Sequence, residues 1–361
     1  MVRYFYFFVL LNMISNVIIL VPKVLIEHRF DSATIGLVTG FVIGTILMFL
    51  FVRFMKAFPE EGLPEILQKA TAPWFFWPFL FINALMFFFA GAITLIGFST
   101  ISVRFINPEI STTQTLLLFL LLVGWIASRK SIALIFTVEL LFLINIPLIL
   151  IIYSKAFSSA TMDWVAVKEV ISSSTYTIPS YSTVAAASYL FSGYTNFLIF
   201  NRYMKKEFIV RVPWLIPITG FITLVTTFFI PIGFYGTDAV GDLTFPWISS
   251  ADSIRFEYGI VERVVFMFLT LYISISLLSA CVHWHVSIQL FQSLFEKTKF
   301  FPLKKTLVLL LFCTFTIWYN LINNEQDFVK ASKIWLNIRF ATEFVSVIIL
   351  LVLAKRGKTN E

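Results

Sequence analysis

The stretch Ser188-Tyr-Leu-Phe-Ser-Gly-Tyr-Thr-Asn-Phe-Leu-Ile-Phe-Asn-Arg-Tyr-Met204 is an apolar run interrupted at its centre by Ser192, Gly193, Tyr194, Thr195 and Asn196. An unsatisfied backbone group in hydrocarbon costs several kcal/mol. A glycine among hydroxyl and amide side chains at mid-membrane therefore points to a local break that faces protein or a water-filled pocket. Transporter-like proteins hold ligands at such breaks. A continuous helix whose small polar residues admit a close neighbour is the alternative, and this stretch alone leaves both open.

Outside this stretch the composition decides the class. With 59% hydrophobic, 18% aromatic and 13% charged residues and a mean hydropathy of +0.89, the chain has too little polar surface for a soluble globule and reads as an all-α polytopic membrane protein in a lipid bilayer. The net charge of +7 lies in short loops and at the C-terminus, as membrane orientation requires. No basic groove with interleaved aromatics suggests a nucleic-acid partner. Cys281 and Cys313 sit in apolar runs without ligand spacing and read as core residues. His283 and His285, two positions apart on a helix, diverge and have no third ligand nearby, so no metal is expected. No phosphate loop or catalytic triad is present, so neither a cofactor nor an enzyme is expected.

Counted at roughly 20 residues each, about ten spans follow. Tyr4 to Ile26 is too long for a signal-peptide core and lacks a cleavage site, so it reads as the first span, with Asn12, Ser15 and Asn16 in its middle. Ala33 to Phe54 carries Gly36, Gly40 and Gly44 as a small-residue stripe for helix contact. Glu65 to Ala70 reads as interfacial, and Trp74 to Phe105 as a tilted or projecting span with an aromatic belt at its start. Thr112 to Ala127 and Ile132 to Tyr153 complete a first repeat over residues 4–154, and a polar linker fills 155–178. The second repeat, 179–354, holds spans at Pro179 to Tyr203, Val212 to Tyr235, Gly259 to Phe291, Leu307 to Leu321 and Ile334 to Leu353, ahead of a basic tail at 355–361. All of this is expected to form one membrane domain. Roughly 17 basic residues fall on the side of the termini and roughly 10 opposite, which places both termini in the cytoplasm and the acidic loop Gly236 to Tyr258 outside.

Spans one and six are both broken by small polar residues, the pattern of a LeuT-like five-plus-five inverted repeat with its site between discontinuous helices 1 and 6. Spans five and ten each carry one carboxylate, Glu139 in Thr-Val-Glu-Leu-Leu and Glu343 in Ala-Thr-Glu-Phe-Val. Intramembrane ionisable groups are costly and default to functional roles. Arg339, one turn before Glu343 on the same face, offers it plain neutralisation. Glu139 has no local partner, and its reading stays open between a hydrogen-bonded group and a proton site. The expected ligand site joins Asn12, Ser15 and Asn16 to Ser192, Gly193, Tyr194, Thr195 and Asn196, walled by Phe89 and Thr94 of span three and Ser274 and Ser276 of span eight. A neutral break suffices for a zwitterion, since helix N-termini favour a carboxylate and freed carbonyls an ammonium.

The chain resembles the spore germination permease family, the B-type subunits of germinant receptors, within the amino acid, polyamine and organocation transporter superfamily. The resemblance rests on Phe245-Pro-Trp-Ile-Ser-Ser-Ala-Asp-Ser253 followed by Tyr258-Gly-Ile-Val-Glu-Arg263, on Phe58-Pro59 with Glu65, on Asn107-Pro108-Glu109 and on Met204-Lys205-Lys206. It implies a small germinant such as an amino acid, signalling to an A-type membrane subunit and a C-type lipoprotein subunit, and a place in the spore inner membrane. A secondary amino acid transporter is the other reading. The chain departs from the family at Ser15-Asn16-Val17, where a glycine is usual, and at Thr195 and Asn201, where a glutamate and a proline are usual. Thr195 in place of a carboxylate tilts the reading towards a receptor. Glu262 and Arg263, adjacent in sequence, cannot share a helix face and are expected to clamp the Phe245 to Ser253 loop through separate partners, with a ligand gate at the outer mouth as the other reading.

Overall fold

The computed structural model describes residues 2–159, 161–173, 178–204, 212–255, 263–295 and 305–359. Lys205-Lys206, Glu257, Tyr258 to Glu262 and the basic residues Lys297, Lys299 and Lys304 lie outside the described residues, and with them the proposed Glu262 clamp.

The described chain is helical, without strands. Seven of its helices are long and apolar enough to cross a membrane: α3 (Ala33–Met55), α5 (Pro73–Phe105), α7 (Ser131–Phe157), α11 (Leu215–Tyr235), α13 (Val264–Phe295), α14 (Lys305–Ile322) and most of α15 (Glu325–Thr359). The other three expected spans are short or interrupted. α6 (Thr112–Ala127) has 16 residues, about 24 Å of helix. The first span is split into α1 (Val2–Ser15) and α2 (Val21–Glu27), and the sixth is α9 (Tyr181–Tyr189) followed by tight 3-10 turns around α10 (Phe197–Phe200). α4 (Leu63–Ala70), amphipathic and short, sits where an interfacial segment was expected.

Three segments are more ordered than their polarity suggests. The linker forms α8 (Trp164–Ser173), started by Asp163, whose Oδ1 accepts from Val165 N at 2.8 Å. The outer loop folds into α12 (Pro246–Ser253), with proline in its first turn and Trp247 buried against Phe268 at 5.5 Å. α15 begins nine residues before the expected Ile334, because Asn324 caps it (Asp327 N to Asn324 Oδ1, 2.9 Å) and Glu325 and Asp327 suit its N-terminal dipole.

The long helices pack around α13, which lies against α5 and α7, while α3 lies against α9. The glycine stripe explains the second contact. A Cβ on Gly36 would come 2.4 Å from Thr183 Oγ1, and one on Gly40 would come 2.4 Å from Ala187 Cβ. The small residues thus bring the backbone of α3 close to α9, just ahead of the break in span six.

Candidate functional site

The two breaks are built by side chains that take over backbone carbonyls. Asn12 O accepts from Asn16 N (3.3 Å), Ser15 Oγ (3.1 Å) and Asn16 Nδ2 (2.8 Å), and α1 ends at Ser15. Asn12 Nδ2 reaches across to donate to Tyr189 O at 2.7 Å and Ser192 Oγ at 3.3 Å. In span six, Ser192 Oγ donates to Tyr189 O (2.8 Å), Thr195 Oγ1 to Ser192 O (2.7 Å) and Asn196 Nδ2 to Gly193 O (2.9 Å). The hydroxyls and amides that mark these breaks in the sequence thus satisfy the groups that the breaks release. Gly193 lets the two segments touch, since a Cβ there would lie 2.6 Å from Phe8 O and 2.7 Å from Val9 Cα.

With the breaks in contact, the polar cavity lies beside them rather than between them. It holds about 40 Å³ and is lined by Asn83 of α5, Ser192 and Thr195 of the break, His283 of α13, and Arg339 and Glu343 of α15, among others. Arg339 Nη1 donates to Glu343 Oε2 at 2.5 Å, and both side chains are buried. Arg339 Nη2 reaches Ala185 O (3.3 Å) and Ser188 Oγ (3.4 Å), and the guanidinium stands 4.6 Å from the Tyr189 ring centre. The pair thus ties α15 to the end of α9. Arg339 Nε and Glu343 Oε1 make no hydrogen bond among the described residues, which leaves one buried donor and one buried acceptor on the pair. The Tyr194 hydroxyl faces the same carboxylate.

Of the residues expected from sequence, Ser192 and Thr195 line this cavity. Asn12, Asn16, Gly193 and Asn196 build the breaks beside it, and Ser15 Oγ also donates to Ser279 Oγ of α13 at 3.2 Å. Tyr194 is fully buried with its ring 4.9 Å from Phe51. Phe89 lines a separate apolar cavity. Thr94 donates back to Ala90 O at 2.8 Å, Ser274 to Leu271 O at 2.7 Å and Asn145 Oδ1 at 3.2 Å, and Ser276 is buried without a partner among the described residues. Sequence reasoning did not assign Asn83, His283 or Trp335 to the cavity. A lone asparagine in an otherwise apolar run at Asn83 was the available signal.

The motif carboxylate Glu65 has a structural place at one end of span six. It takes a forked pair of hydrogen bonds from Arg202, 2.7 Å to Nη2 and 3.2 Å to Nε, while Asn201 Nδ2 donates to Phe58 O and Glu61 O at 2.8 Å each. Asn201 thus fastens the loop after α3 to the end of span six. Glu139, which lacks a local partner, is met by Arg3 of α1 at 2.9 Å.

A family model described as spore germination protein matches residues 2–329 of this chain. No curated protein matches it.

Proposed function

This chain belongs to the spore germination permease family, and from that premise we propose that it is the transporter-like membrane subunit of a germinant receptor. It binds a small nutrient, an amino acid, and passes the bound state to an A-type membrane subunit and a C-type lipoprotein subunit in the spore inner membrane. In this reading the chain crosses the bilayer about ten times as a LeuT-like five-plus-five repeat, with both termini in the cytoplasm and spans one and six discontinuous.

The observation that carries the ligand class is the free donor and acceptor on the buried Arg339 and Glu343 pair, at a cavity bordered by Ser192 and Thr195. A zwitterion presents the complementary set, a carboxylate for the guanidinium and an ammonium for the carboxylate. A cavity of about 40 Å³ holds no more than a few waters, so this is a closed form and the ligand enters when α5, α15 or the break moves. Asn12, Ser15, Asn16, Gly193 and Asn196 then act by holding the break, and the cavity residues make the contacts.

Secondary amino acid transport has one observation in its favour. Proton coupling needs a titratable group in the pathway, and Glu343 lines the cavity although Thr195 replaces the usual carboxylate of span six. Germination assays on spores lacking this subunit, across amino acids, sugars and nucleosides, test the receptor reading. The expected result is loss of response to one class of amino acid, restored by the intact chain. Full retention of every response overturns the receptor role, and loss confined to sugars or nucleosides overturns the amino acid assignment.

A further inference from the structure

Beside the polar cavity lies a second one, of about 290 Å³, between α5, α14 and α15. Its walls are almost wholly apolar and include Phe89, Ile93, Phe315, Phe328 and Ile338. Met86 and Trp335 line both cavities. The partition is slight: Trp335 is buried, its Nε1 donates to Met86 O at 3.2 Å, and its ring meets Tyr189 edge-on at 5.3 Å.

We propose that the ligand of this site is an amino acid with a bulky apolar side chain, whose main-chain charges sit at Arg339 and Glu343 and whose side chain enters the cavity behind Trp335. This rests on the amino acid reading given above and adds the side-chain class. The polar cavity shares two walls, Met86 and Trp335, with this larger apolar space, so a ligand whose charged head sits in the first has the second beside it. Apolar cavities of about 150 Å³ already take up a benzene ring, so a branched aliphatic or aromatic side chain fits this one with room to spare. Lining residues also explain selectivity: a polar or charged side chain would lose its water against these walls and find few partners. Trp335 acts as the gate, and its hydrogen bond to Met86 O biases the gate shut.

The test is binding of leucine and of alanine to the full chain in lipid nanodiscs, read as ligand-induced thermal stabilisation and by direct titration. Leucine is expected to bind at least tenfold more tightly than alanine. Ala92→Phe, which places a ring in the apolar cavity, is expected to abolish that preference and leave alanine binding intact. Ser332→Leu is a milder filling variant should the phenylalanine prevent folding. Trp335→Phe, which removes the hydrogen bond and keeps a ring, is expected to raise the preference for leucine over alanine several-fold. Equal binding of leucine and alanine, unaffected by the filling variants, overturns the side-chain inference and leaves the amino acid site standing. Failure of every amino acid to bind the wild-type chain overturns both. If Ala92→Phe displaces only a co-purifying lipid, the cavity is a lipid site and the inference fails.

Discussion

Glu139 and Glu343 carry the same signature, a single carboxylate inside an apolar helix, and they end in opposite circumstances. Glu139 meets Arg3, whose side chain is 63% exposed, whereas Glu343 meets Arg339 with side-chain exposures of 2% and 8%. The partner makes the difference. Arg339 lies four residues away on the same helix, so wherever that face is buried, both charges are buried together. Arg3 comes from the start of another helix and stays largely exposed, and Glu139 is itself less completely covered than Glu343. A carboxylate paired locally in a buried face is thus the one whose charge the protein itself must hold, and in the function proposed here it is the one that meets the ligand. A carboxylate paired at distance with an exposed arginine is a tether between α1 and α7.

The largest effect expected from this contrast is at the buried pair. Glu343→Leu or Arg339→Leu alone strands an uncompensated buried charge, at a cost of about 3–5 kcal/mol, and subunit abundance in spore membranes should fall sharply. The double variant Arg339→Leu with Glu343→Leu removes both charges and should recover most of the abundance without recovering the germinant response. Abundance by immunoblot and germination rate, measured on the same spores, separate the two effects. A double variant that responds normally would show that the pair serves folding alone.

Next in size is the break itself. Gly193→Val drives a side chain into the backbone of α1 at Phe8 and Val9, where the chain cannot yield as a flexible side chain would, and overpacking of this kind costs about 1–3 kcal/mol. Response and abundance should therefore fall together, while Thr195→Ser keeps its hydroxyl bond to Ser192 O and changes both little. A Gly193→Val subunit at normal abundance that has lost its response would mean that this glycine serves the ligand directly.

The membrane class and most helix bounds were legible because apolar run length and breaker residues are local properties. α5, α6 and α7 match their expected bounds within a few residues, and both breaks fall on the polar clusters that predict them. The side of the break on which the cavity opens was not legible, because it depends on Asn12 Nδ2 crossing to Tyr189 O, a contact between residues 177 apart. The role expected for freed carbonyls was likewise out of reach. In the sequence the polar side chains suggest a pocket lining, whereas in the structure several of them are spent on their own backbone. The partner of Glu139 and the burial of α12 were hidden for the same reason, since each depends on segments distant in sequence.

The smallest effect belongs to the tether, and it tests the contrast from the other side. Glu139→Gln removes the charge and keeps an oxygen that still accepts from Arg3, so the link between α1 and α7 survives as a neutral hydrogen bond. Largely exposed ion pairs contribute little, because two long side chains lose freedom in holding one geometry, and with Arg3 63% exposed this pair is expected to follow them. Abundance and response should both match wild type, and Arg3→Gln should behave the same way. Should Glu139→Gln abolish the response at full abundance while Arg3→Gln does not, the carboxylate would be acting as a proton site in its own right. The two halves would then each hold a functional carboxylate, and the distinction drawn from burial would fail.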